Sequence, residues 1–189
     1  MMCNTASLLL LLPLAFLGCS SEPQVLETAP AAEEAEMAPE VKSKTGPVEF
    51  NAPEGWTERE PTAAMRSKEF VLGDDTENEV LVIVGHWPNG VGGLQANLQR
   101  WKGQLAGGEN AQEPSIDTFT ENGLISTLMD GMGDYSGMSG TQQAGSRLMA
   151  AYVESPMGRF EGVYTIKLSG SADSIEPWAD SFRKFIQDL

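Results

Sequence analysis

The chain has little soft-ligand chemistry to offer. It holds two cysteines, Cys3 and Cys19, and one histidine, His86. A structural zinc site needs three or four Cys and His ligands, and a Ser-His-Asp triad would have to use His86. Beyond Cys19 there is no thiol at all, which excludes cysteine nucleophiles, thiolate metal sites, disulfides and thiol redox chemistry from the folded part. Positive charge is also scarce: 12 Lys and Arg stand against 27 Asp and Glu, a net charge of −15. A surface of that sign repels phosphates, so no nucleic-acid partner is expected. Phosphate loops are missing too. Gly90-Val91-Gly92-Gly93 is followed by no Gly-Lys-Ser/Thr and is not the dinucleotide pattern, so it reads as a tight turn into a helix. The acidic run Asp74–Glu79 puts Glu79 where a calcium loop needs glycine, and Asp130-Gly131-Met132-Gly133-Asp134 is no better as a metal loop. No metal, no cofactor and no enzyme activity are expected; carboxylates alone remain as a catalytic alternative.

What is present begins with an address. Residues 8–17 are an apolar run too short for a spanning helix, which needs about 20 residues, but of the length of a signal-peptide core. Gly18-Cys19-Ser20 follows at once. A small residue and then cysteine at that place resembles the lipobox of bacterial lipoproteins, although Phe16 stands where leucine is usual and residues 1–7 carry no Lys or Arg. The resemblance implies a signal peptide over 1–18, cleavage before Cys19 and a lipid on Cys19. The protein is then anchored in the bacterial cell envelope, facing the periplasm or the exterior. An ordinary signal peptide cut elsewhere is the competing reading. Residues 19–46 turn to Glu, Ala and Pro, with six glutamates against Lys42 and Lys44. Such a segment buries too little apolar surface to offset its ordering entropy, and is expected to be a disordered tether.

Residues 47–189 have the size of one domain. Its organising stretch is Val80-Leu81-Val82-Ile83-Val84, a β-branched run suited to a strand covered on both faces. Gly85 and Pro88-Asn89-Gly90 are expected to stop it. Leu94, Leu98, Trp101 and Leu105 then fall on one helical stripe. A short strand is expected to begin at Val48 to Phe50, then a turn at Pro53-Glu54-Gly55-Trp56, a break at Pro61, and a strand over 65–72 with Phe70 and Leu72 on one face and Glu69 and Val71 on the other. Further strands are expected over 115–120 and 124–129, joined by Asn122-Gly123, and over 147–154 and 159–168, joined by residues 155–158. Gly131 to Gly145, without periodicity, reads as a long loop. Trp178, Phe182, Phe185, Ile186 and Leu189 give a closing amphipathic helix with Pro177 in its first turn. Strands joined by short turns, with two main helices as cover, make an α+β fold built on an antiparallel sheet. Trp101 and Trp178 are expected in its core.

Pro53-Glu54-Gly55-Trp56, Met65-Arg66 leading to Phe70, Gly92-Gly93 with Asn97-Leu98-Gln99-Arg100-Trp101, and Tyr164 to Gly170 together resemble a bacterial family of secreted or lipid-anchored proteins that has no assigned activity. The order of elements is similar to the PsbP-like fold, an antiparallel sheet between helices, and implies that sandwich here. The resemblance brings no catalytic residue with it, and a shared fold does not carry a function. The residues themselves leave three classes open: a non-catalytic envelope domain that binds a protein partner or supports an assembly, a small-ligand carrier with a pocket between sheet and helix, and a hydrolase using paired carboxylates. For a binding role the expected site is the polar stripe Asn97, Arg100 and Gln104 on the first helix, with His86 and Trp87 just before it. Read as exposed, those three helix positions should tolerate alanine at under about 0.5 kcal/mol each.

Overall fold

A computed structural model describes residues 47–74, 79–105, 107–109, 111–137 and 142–189. The expected signal peptide (1–18), the tether (19–46) and Cys19 lie outside the described residues.

Among the described residues seven strands form one sheet: β1 (Trp56–Arg59), β2 (Lys68–Leu72), β3 (Val80–Trp87), β4 (Ser115–Glu121), β5 (Leu124–Ser136), β6 (Gln142–Glu154) and β7 (Val163–Ser171). Helix α1 (Gly93–Gln104) separates β3 from β4. After β7 come the short helix α2 (Ala172–Ile175), a 3-10 turn (Glu176–Trp178) and α3 (Ala179–Gln187). The sheet order is β1-β2-β3-β7-β6-β5-β4, and every neighbouring pair is antiparallel. The chain therefore leaves the sheet after β3, crosses along α1, and builds β4 to β6 on the far side. β7 returns to close the middle. This is the expected α+β architecture: an antiparallel sheet with helices packed on it.

Side chains alternate across a strand, so each strand supplies two faces. Val80, Val82 and Val84 of β3, Phe70 and Leu72 of β2, Ile166 and Leu168 of β7, and Met149, Ala151 and Val153 of β6 face α3. There they pack with Phe182, Phe185 and Ile186, and the Trp56 and Phe185 rings lie 5.0 Å apart. On the opposite face Leu148, Ala150 and Tyr152 of β6, Met129 of β5 and Val163 of β7 meet Leu98, Trp101 and Leu105 of α1. The helical stripe is used as expected, with Leu94 only partly buried, but β3 is fully covered only on the α3 side: Leu81 and Ile83 on its other face join neither core, because α1 packs over β5 and β6 instead. Trp101 is fully buried, whereas Trp178 is half-buried at the margin of the α3 layer.

Several boundaries differ from expectation, each for a local reason. Val48 to Phe50 joins no strand, although Phe50 is buried against Tyr164 and Phe185. β3 runs through Gly85 to Trp87, because β7 pairs with it as far as Val163; Pro88, which has no amide donor, ends it. The segment from Gly131 is no loop up to Ser136. It continues β5, and β6 starts at Gln142, with Gly131 opposite Leu148 and Gly133 opposite Ser146. Those glycines are there for contact. A Cβ on Gly131 would lie 2.9 Å from the Leu105 side chain, and one on Gly133 would lie 2.5 Å from the Leu105 carbonyl. The residues after α1 rest directly on the strand. The Asn122-Gly123 turn between β4 and β5 is as expected, with both residues at positive φ (51° and 77°).

Candidate functional site

The α1 side of the sheet holds the polar groups that the core does not neutralise. The first turn of α1 has no side-chain cap: Gly92 and Gly93 enter it at positive φ (86° and 75°), a conformation that costs glycine little. Asn97 ties the entry to the helix from inside, through carbonyls rather than through the free amides of the first turn. Its Nδ2 donates to the Val91 carbonyl (2.9 Å) and the Gly93 carbonyl (2.6 Å), while its Oδ1 accepts from the Arg100 guanidinium. Asn97 is 0% exposed and Gln104 8%, so the stripe is not the exposed helix flank the sequence suggested; of the three only Arg100 is exposed. The expectation that alanine is harmless there is corrected accordingly. Asn97→Ala removes both bonds to the Val91 and Gly93 carbonyls and frees Arg100, which should cost about 1–3 kcal/mol in urea denaturation. A loss below about 0.5 kcal/mol would show that the amide does not hold the turn.

His86 and Trp87 are neighbours in sequence but not in space, since successive strand residues point to opposite faces. Trp87 faces α1, and its Nε1 donates to Thr165 Oγ1 at 2.9 Å. His86 points the other way. Its ring stacks on Tyr164 with centroids 4.4 Å apart, and its Nε2 lies 2.9 Å from the Glu161 carbonyl. Trp87 therefore shares a face with Asn97, Arg100 and Gln104, and His86 is separated from them by the sheet.

The register puts Arg59, Glu69, Ile83, Lys167, Ala150, Met129 and Ile116 side by side across seven strands on the α1 face. Two charged residues in that row matter. Glu69 is wholly buried. Burial alone would push its carboxyl up, yet hydrogen bonds from the Thr62 amide (2.6 Å), the Arg66 guanidinium and the Thr62 hydroxyl (3.1 Å) hold it below the ordinary carboxylate value. Arg59 adds a longer contact at 3.8 Å. Glu69 thus fastens residues 60–67 over one margin of the face.

Lys167, two strands away at a Cα spacing of about 10 Å, has no such partner. Its ammonium lies 5.7 Å from the centre of the Trp101 ring, a cation–π contact, and no carboxylate among the described residues pairs with it. Burial first, and the nearby Arg100 charge second, lower its pKa from 10.5 to about 8. Two further polar atoms on the same stretch of α1, Trp101 Nε1 and Gln104 Oε1, are buried and have no hydrogen-bond partner among the described residues. Sequence reasoning missed Lys167, because a single lysine within the expected strand 159–168 carries no local sign of what will cover it.

The opposite face carries a different cluster. Asp130 receives two hydrogen bonds from Arg147 (2.9 and 2.8 Å) and one from Arg183 (2.8 Å), and Arg147 also reaches Glu176. This ties the 3-10 turn and α3 to β5 and β6. Among the described residues no group of three or more His, Cys, Asp or Glu side chains could hold a metal ion, and no helix is long and apolar enough to cross a membrane. No protein-family model matches the chain, and no curated protein matches it.

Proposed function

We propose that this chain is a non-catalytic binding domain of the bacterial cell envelope, anchored through a lipid on Cys19, with its binding face on the α1 side of the sheet. The observation that carries this is the Lys167–Arg100 pair: two adjoining cations that no carboxylate among the described residues pairs with, on the same stretch as Trp101 Nε1 and Gln104 Oε1, which have no partner among those residues either. Groups left unpaired at such cost point to something bound. Asn97 and Trp87 support that face from within, by holding the entry to α1 and the end of β3.

A paired-carboxylate hydrolase is supported less well. The most buried carboxylates, Glu69 and Asp130, lie on opposite faces of the sheet and cannot flank one bond. Each is also a counterion for arginines, and Glu69 is held ionised, which is the wrong state for a general acid. The PsbP-like sandwich, and membership of the secreted or lipid-anchored family that the sequence resembles, belong to the same proposal. An antiparallel sheet with a helix on each face is what supports the likeness.

Two results test this reading. Cys19→Ser should move the protein out of the membrane fraction, and intact mass of the wild type should show an acylated N-terminal cysteine; an unacylated N-terminus elsewhere would refute the anchor. A photo-crosslinking residue at Gln99, exposed on α1, should trap an envelope component that the same group at Asp180 on α3 does not. Arg100→Glu should abolish the adduct. Equal trapping from both helices, or an adduct indifferent to Arg100→Glu, would remove α1 as the binding face.

A further inference from the structure

Most of the described basic residues pair with an acid or reach across to another element. Arg59 and Arg66 pair with Glu69, Lys68 with Glu58, Lys102 with Glu113, Arg147 and Arg183 with Asp130, and Lys184 with Asp188. Arg159 donates to the Asn122 and Leu189 carbonyls. Among the described residues no acid pairs with Lys167 or Arg100, and Arg100 meets only the Asn97 Oδ1. The two cations stand together, at the line where α1 stops covering the sheet. Beyond that line the same face continues as Ile83, directly opposite Lys167, then Leu81 and Val71, three aliphatic side chains only partly buried while their α3-side neighbours are fully covered.

We propose that this place binds a carboxylate carried on a short unbranched aliphatic chain. Arg100 and Lys167 take the carboxylate, and the chain lies over Ile83, Leu81 and Val71. The inference rests on the α1 face being the binding face and adds the ligand's class. Guanidinium and ammonium donors suit a carboxylate, and each gains a counterion it lacks. A fully ionic ligand would leave the aliphatic strip in water, and a purely apolar one would leave two cations unpaired, so the combination is what the surface asks for. Trp101, under Lys167, gives the site an optical reporter.

The test uses the chain without residues 1–18 and with Cys19→Ser, so that no acyl group of its own competes. Octanoate, octanol and inorganic phosphate are titrated separately, following tryptophan fluorescence and the Lys167 side-chain resonances by NMR. Octanoate should give saturable shifts at Lys167, while octanol and phosphate bind at least ten-fold more weakly. Lys167→Met and Arg100→Gln, with unchanged circular dichroism, should each weaken octanoate binding about ten-fold or more. Phosphate or octanol binding as tightly as octanoate, no saturable shift with octanoate, or octanoate binding unaffected by Lys167→Met would each overturn the proposal. If octanoate fails while Arg100→Glu still abolishes trapping from Gln99, the ligand class is wrong and the binding face stands. Failure of both removes the face as well.

Discussion

Glu69→Gln should destabilise the domain by about 3–5 kcal/mol, the usual cost of breaking a buried ion pair from one side. The substitution keeps the shape of the side chain but leaves Arg66 and Arg59 beside a neutral group, and weakens the bond from the Thr62 amide. The loss should appear first in residues 60–67, which Glu69 holds against the sheet. Trypsin should then cut at Arg66 under conditions where the wild type is resistant. The pH dependence has a definite sign. A carboxyl held below its ordinary value of 4.5 contributes stability that is fully present above that value and is lost as the pH falls through the lower, folded value. Wild type should therefore lose stability on acidification below about pH 4.5, and Glu69→Gln should lack that part of the acid limb. A cost under about 1 kcal/mol, with no change in cleavage at Arg66, would contradict the role given to Glu69.

Lys167→Met should act in the opposite direction and stabilise the protein at pH 7. Lys167 must keep its proton in the folded state against burial and against Arg100, which lowers its pKa from 10.5 to about 8. A difference of that size corresponds to a cost of about 3 kcal/mol at neutral pH. Methionine keeps an unbranched apolar stem against Trp101 and removes the charge. As the pH rises from about 8 toward 10, folded Lys167 releases its proton before the unfolded chain does, so wild-type stability should increase across that window. Above about pH 10 the trend reverses, because burial raises Tyr135, Tyr152 and Tyr164 and the folded state keeps protons that the unfolded chain gives up. Urea denaturation at pH 7 and pH 9.5 on both proteins measures this. The advantage of Lys167→Met should shrink between the two; a destabilised variant at pH 7 would mean that the ammonium is satisfied. A lysine that weakens the fold at neutral pH is the expected signature of a group kept for binding.

Elements whose signal is periodic were legible from the sequence. Val80 to Val84, the Leu94–Leu105 stripe, the alternation through Leu148, Ala150 and Tyr152, and the Asn122-Gly123 turn all sit where their patterns put them. The extension of β5 was hidden because Gly131 and Gly133 have no side chain to alternate. Their reason is the close approach of Leu105, a contact from another element that no local pattern records. Burial of Asn97 was hidden in a similar way. Lys167 was the hardest to see. On an antiparallel sheet one polar face is ordinarily solvated, and only the placement of α1 over β5 and β6, with Trp101 beneath the ammonium, buries this one.

The Lys167 ammonium lies against Trp101 of α1, with no carboxylate partner among the described residues, and its titration can be observed directly. NMR of the Lys167 side chain, followed from pH 6 to pH 11 and assigned by comparison with Lys167→Met, should give a midpoint near 8, well below the ordinary 10.5. A midpoint at or above 10.5 would mean that Lys167 is solvated or paired, and would contradict the site.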